Sequence, residues 1–377
     1  MVGHSEYLRL AKLNFIRSAC WHTLHLMIKK HISRSVRIAT IASLALLVSA
    51  CSSVSYYSQS VVGHSKLMLA RQSVDKVVKS AEQPLKAQLL LSKELKDFSV
   101  HELGLPESKS YNSYVDLQRE FPVWTVVATP EFSLTPKHWC YLVIGCASYR
   151  GYFKRSAADK YAAKLQSRGF ETEVGGASAY STLGWFKDPL LPSMMRYGDI
   201  AFAETLFHEI AHQQLYINGD SDFNEAFASL VGEVGVVRWL ELNRPQDIPS
   251  YQQRLKVENQ FYALVEITKD QLIELYASGQ DEFSMRMAKQ EILKELLSRY
   301  ENLKETDWKG KSWYKTWFDA PLNNAKFSAL STYQKRVPEL RVLLEKCEGD
   351  LARFYQTLST LKAVDRHVTV PAECSDG

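Results

Sequence analysis

Residues 208–212 read His-Glu-Ile-Ala-His, and this pentapeptide constrains the fold more than any other stretch of the chain. Residues four apart on a helix lie one above the other, separated by about 6 Å of rise. A helix here therefore directs the imidazoles of His208 and His212 to one point, with Glu209 beside them. The preceding run supports a helix. Ile200, Ala203, Phe207, Ile210 and Ala211 recur at helical spacing and make a buried stripe next to the histidine pair. Asp199 reads as the N-cap, and Asn218-Gly219 as the stop. Two such histidines can hold one zinc ion, and Glu209 is near enough to hold and deprotonate a bound water.

Two histidines bind zinc weakly, and a catalytic site usually adds a third protein ligand while keeping one position open. A third histidine just downstream would need Gly at 215 and His at 218, where the chain has Leu215 and Asn218. The alternative is a carboxylate from a second helix. Glu225 lies one turn into a helix that begins after the Asn218-Gly219 turn, and an antiparallel return brings it beside the histidines. Glu225 also fits a capping box with Asp222, a purely structural role. Ala226, Ala228, Ser229, Gly232 and Gly235 are small enough to let the two helices approach closely. Beyond residue 50 the other histidines are His64, His101, His138 and His367, so a remote histidine ligand has few candidates.

The stretch from His208 through Gln213-Gln-Leu-Tyr-Ile-Asn-Gly-Asp220 to Asn224-Glu225-Ala-Phe-Ala228 resembles the core of the bacterial predicted zinc aminopeptidases, gluzincin-like proteins that are often lipoproteins. Gly145–Phe153, Ala179–Pro189 and Leu322-Asn-Asn-Ala325 resemble further blocks of that family, so the likeness spans most of the chain after residue 50. The resemblance implies that His208, His212 and Glu225 bind one zinc ion, that Glu209 is the base, and that peptides are the substrate. The Gly-x-Met-Glu-Asn signature by which well-studied zinc aminopeptidases hold a free amino terminus is absent; Gly175-Gly-Ala-Ser178 lacks the glutamate.

The N-terminus carries an export signal. Lys29, Lys30, Arg34 and Arg37 precede an uncharged apolar run from Ile38 to Ala50 that is too short to span a bilayer. Val48-Ser49-Ala50-Cys51 resembles the lipobox of bacterial lipoproteins, with Cys51 as the lipid attachment point. Ordinary cleavage after Ala50 also satisfies the small-residue rule. Ser52 favours the outer over the inner membrane. The signal is complete from Met27, which makes Met27 the expected start and 1–26 an extension. Residues 1–50 carry seven Lys/Arg and one acidic residue, leaving 39 basic against 41 acidic side chains. No nucleic-acid footprint remains. The expected location is the periplasmic face of the envelope, and no oligomeric state is implied.

Residues 51–377 form the expected metallopeptidase domain, with an α+β fold: a small sheet packed on a predominantly helical body, built round a zincin-like helix pair. Strands are expected at Phe121–Ala128, Trp139–Ile144 and Phe170–Val174, with helices at Tyr56–Leu103, interrupted at Pro84, and at Lys154–Ser167. From about 250 onward the pattern is helical. Cys140, Cys146, Cys347 and Cys374 are an even set suited to an oxidising compartment. Proximity favours Cys140–Cys146 and Cys347–Cys374, although four cysteines allow three pairings and free buried thiols are an alternative.

Phe170–Ser181, just before the metal-bearing helix, is the edge expected to receive substrate backbone. Tyr180 or Tyr197 then supplies the transition-state donor, unless they only pack. Arg150 anchors either a substrate carboxylate or an acidic partner, and Glu204 is either a partner of His208 or a surface residue. The aromatic-basic run Trp308–Trp317 reads as buried rings with exposed lysines rather than a lipid contact. Asn323 and Asn324 read as helix-capping residues. The expectation is thus a zinc peptidase with Glu209 as general base; the alternative is a non-catalytic envelope lipoprotein that uses the metal as a scaffold.

Overall fold

Val123–Pro130 has the β-branched, mostly buried character of a central strand, and it holds that place in a three-stranded antiparallel sheet. The computed structural model describes residues 56–377 except 142–144, 183–185, 335, 363–366 and 376–377. Cys51, Met27 and the whole export segment lie outside the described residues. Residues 56–63 are helical and belong to the unit Met1–Gly63; everything that follows concerns the unit His64–Gly377.

Arg150–Tyr152 flanks the central strand on one side and Phe170–Ala177 on the other. The second pairing runs the full length, from Val123 opposite Ala177 to Pro130 opposite Phe170. Helices Arg155–Gln166 and Asn324–Gln334 pack on this sheet. A short hairpin pairs Trp139–Tyr141 with Gly145–Ala147; Cys140 stands opposite Cys146 and is bonded to it. A second disulfide joins Cys347, at the end of helix Val337–Lys346, to Cys374.

Helices make up most of the rest, so the fold is α+β with a small sheet beside a predominantly helical body. The main core gathers around the motif helix Asp199–Gln214 and the return helix Ser221–Asn243, with Phe202, Phe207, Ile210, Phe223, Phe227 and Trp239 inside it. A second core lies between helices Ile248–Tyr276 and Glu282–Thr306. The aromatic-basic run supplies much of it. Trp308 is buried and donates to Gln260 Oε1 at 2.9 Å, Tyr314 stacks on Phe261, and Lys309, Lys311 and Lys315 are exposed.

Asn324 ties the sheet to the helical body. It is fully buried, and its Nδ2 donates to the carbonyls of Glu131 (2.8 Å) and Pro130 (3.2 Å) at the end of the central strand. Its own N–H donates to Glu171 Oε2 at 2.6 Å. Buried Lys289 reaches the same corner, donating to Glu131 O and Glu171 Oε1. Asn323 Oδ1 accepts from Lys326 N–H at 2.9 Å, the geometry of an N-cap.

Glycine sets the distance between the motif and return helices. A Cβ at Gly232 would stand 3.0 Å from the Glu204 carbonyl and 3.5 Å from His208 Cβ. A Cβ at Gly235 would fall 2.7 Å from side-chain carbons of both Leu103 and Phe207. Gly232→Val should therefore push the helices apart and lower the unfolding free energy by about 1–3 kcal/mol, read by urea titration, with Gly232→Ala intermediate. An unchanged midpoint in both variants would show that the close approach is not required.

Candidate active site

The motif helix starts one residue earlier than its sequence signals. Gly198, at φ 90°, is the N-cap and Asp199 the first helical residue. The helix ends at Gln214, four residues before Asn218-Gly219, because Leu215 is extended. Asn224 explains the early stop. Its side chain is buried and makes two reciprocal 2.8 Å bonds to the N–H and C=O of Ile217, holding the connection as a tight loop.

The return helix is capped by Asp220, not Asp222: the Asp220 carboxylate accepts Phe223 N–H at 2.9 Å. Glu225 is thereby released from any capping role and faces the histidines. Its Oε2 lies 3.3 Å from His208 Nε2, and its Oε1 3.7 Å from His212 Nε2. The two Nε2 atoms are 3.2 Å apart, with the rings nearly perpendicular. All three side chains offer a donor atom within 4.8 Å of the others. A tetrahedral divalent ion with bonds of about 2.0–2.1 Å holds neighbouring ligand atoms about 3.4 Å apart. The His208–His212 and His208–Glu225 gaps are close to that spacing and the His212–Glu225 gap is wider, so a small turn of the carboxylate fits the donor set to such an ion.

Electrostatics fit the same reading. Burial pushes His212 down to about 4, with the neighbouring His208 adding to the effect, so its ring is neutral near pH 7. Burial also opposes charge on His208, but the Glu225, Glu209 and Glu204 carboxylates outweigh it and hold its pKa above the ordinary value. Burial alone would raise Glu225; its hydrogen bond to His208 and the two histidines bring it below the usual carboxylate range. Glu209 is pushed up to about 7, mainly by burial, and its Oε2 has no hydrogen-bond partner among the described residues. Ser229 Oγ lies 3.5 Å from His208 Nδ1, where it can fix the orientation of that ring.

A family profile described as "Putative aminopeptidase" matches residues 55–369. The chain belongs to that family. No curated protein and no solved structure matches it. The family's match takes in both helices and every residue of the His208–Glu209–His212–Glu225 group.

Other expected residues take other places. The Tyr180 hydroxyl is engaged with His64 Nδ1 at 2.9 Å, and Tyr197 is 67% exposed ahead of the motif helix. Arg150 stacks over Tyr161 at 4.7 Å, packing between sheet and helix. Glu204 pairs with Arg254, which also stands 3.7 Å from Glu258. Phe170–Ala177 is indeed an edge in its sheet, although Asn323 donates to Thr172 O at 3.2 Å on that strand. The roles of Asp220, Asn224 and Ser229 escaped the sequence reading.

Two tests follow from these contacts. Buried Asp220 accepts Arg336 Nη1 and Val368 N–H, both at 2.7 Å, besides capping the return helix. Asp220→Ala should cost about 2–4 kcal/mol in urea unfolding, since it removes the helix cap and one of the two carboxylates paired with buried Arg336, the other being Glu339; a loss under about 1 kcal/mol would contradict this. Glu258 is raised to about 7, first by burial, then by Glu204 and Glu233 against the opposing Arg254. Its folded pKa exceeds the unfolded 4.5, so its contribution is full below that pH and is lost as pH rises through about 7. Glu258→Gln should be more stable than wild type by about 1–3 kcal/mol near pH 8 and equal to it below about pH 5, as read from melting curves.

Proposed function

We propose that the protein is a zinc-dependent peptidase of the cell envelope, an aminopeptidase in keeping with its family. His208, His212 and Glu225 hold the metal, and Glu209 is the general base. The observation that carries this reading is the meeting of two imidazole Nε2 atoms and one carboxylate, with a buried carboxylate oxygen of Glu209 left unpartnered one residue from His208. Zinc bound there supplies a Lewis acid for water and for the scissile carbonyl.

The chain's own residues do the rest. His212 stays neutral and keeps its Nε2 lone pair available. Glu209 accepts the proton of the attacking water, holds it on its carboxylate, and passes it to the leaving amine. Burial raises the Glu209 carboxyl to about 7 in the metal-free chain, which makes it a stronger base than an exposed carboxylate. The edge strand Phe170–Ala177 offers backbone groups along which a peptide can lie extended. The lipobox at Val48–Cys51 would tether this domain to a membrane facing the periplasm. Among the described residues no helix is long and apolar enough to cross a membrane.

Protein beginning at Ser52 should contain one equivalent of zinc and cleave peptides with a free amino terminus faster than blocked ones. Glu209→Gln should retain zinc and lose about 10²–10⁴-fold in kcat. His212→Ala should lose both metal and turnover. Hydrolysis that survives in purified Glu209→Gln would remove Glu209 as the base, and a protein that binds no zinc would remove the mechanism.

A further inference from the structure

The block Ala179–Pro189 contains no metal ligand and no base, yet Ser181 and Asp188 within it act on Glu209. Residues 110–115 are zipped to it. Tyr111 N–H donates to Asp188 O at 2.6 Å, Leu190 N–H to Ser113 O at 2.7 Å, and Val115 N–H to Leu190 O at 3.1 Å. Asp188 N–H donates to Ser110 Oγ at 3.1 Å. The Asp188 carboxylate, itself buried, accepts both the N–H and the hydroxyl of Thr182 at 2.8 Å. This clamp holds the adjacent Ser181 hydroxyl against Glu209, and the same hydroxyl stands by the Tyr111 phenol.

Tyr111 is unusual in three respects. It is only 2% exposed although it carries a hydroxyl. Its φ of 62° places a bulky side chain in the left-handed region, where such residues persist only if their surroundings hold them. Its hydroxyl has no hydrogen-bond partner among the described residues, and neither has Glu209 Oε2. A buried donor and a buried acceptor, each unpaired and both close to one serine hydroxyl, form a costly arrangement for a fold to keep. Burial, with the Glu209 and Asp188 charges, pushes the phenol well above its ordinary pKa, so it remains a donor.

We propose that Tyr111 and Ser181 are positioning residues for Glu209. The phenol donates to the serine hydroxyl and the serine donates to the carboxylate. This two-bond chain fixes the Glu209 rotamer. The catalytic consequence rests on Glu209 being the base; the positioning itself does not. Tyr111→Phe deletes one oxygen and preserves the ring, and Ser181→Ala removes the link between the two.

Crystal structures of the metal-free wild type and both variants read the Glu209 rotamer directly, and zinc-loaded protein gives kcat and KM on a peptide with a free amino terminus. One Glu209 rotamer in wild type and a rotated or split carboxylate in each variant is the expected result. It should come with unchanged zinc content, a nearly unchanged KM, and kcat roughly 10- to 100-fold lower. A Glu209 rotamer identical in all three proteins overturns the inference, whatever turnover does. If wild type cleaves no peptide at all, the peptidase reading fails, while the rotamers still decide the role of Tyr111 and Ser181.

Discussion

The contact between the motif helix and the return helix at Gly232 is the constraint on which the rest depends. Side chains on two antiparallel helices can meet at one point only if the backbones are close, and here a missing Cβ lets the Glu204 carbonyl approach. Both helices are buried along most of their length by one continuous core. The His208, His212 and Glu225 side chains are therefore mounted on rigid elements rather than on loops, the condition for holding donor atoms to a fraction of an ångström. The sheet contributes less to this frame than its place in the sequence suggests; it is fastened to the helical body at its far end, through Asn324 and Lys289.

Such a site concentrates negative charge in a poorly solvated place. Glu204, Glu209 and Glu225 all lie near His208, and burial works against ionisation of each. The fold offsets part of this with paired cations. Arg254 answers Glu204, and Arg336 answers Asp220 behind the return helix. Glu209 is raised by burial, which outweighs the opposing charge of His208. Glu204, Glu209 and Glu258, all raised by burial, come from the motif helix and from helix Ile248–Tyr276.

Local periodicity made much of this legible in the sequence. The motif helix and the antiparallel return that brings Glu225 to the histidines could be anticipated, because helical spacing and small residues are properties of neighbouring positions. The capping of the return helix could not. Asp222 makes an equally good local signal, and Asp220 prevails through Arg336 and Val368, which lie 116 and 148 positions away. Arg150–Tyr152 went unread because three residues cannot establish an alternation. Tyr111 and Ser181 were invisible for the same reason as the cap. Nothing in the tetrapeptide around either residue says that the two loops are zipped together beside Glu209.

The Asp220 contacts also bear on when the site can exist. Val368 gives its N–H to Asp220 and its carbonyl to Arg336, and Cys374 is bonded to Cys347 just beyond. The helix that carries Glu225 is thus finished by a strap 148 positions further along. A polypeptide emerging in order from its N-terminus would have every residue of the His208–Glu225 group in hand while the cap of the return helix still lacked its partners. Assembly of the His208–Glu225 group is in this way coupled to the arrival of Val368, and a copy shortened ahead of Val368 would hold the right residues on an unsecured helix.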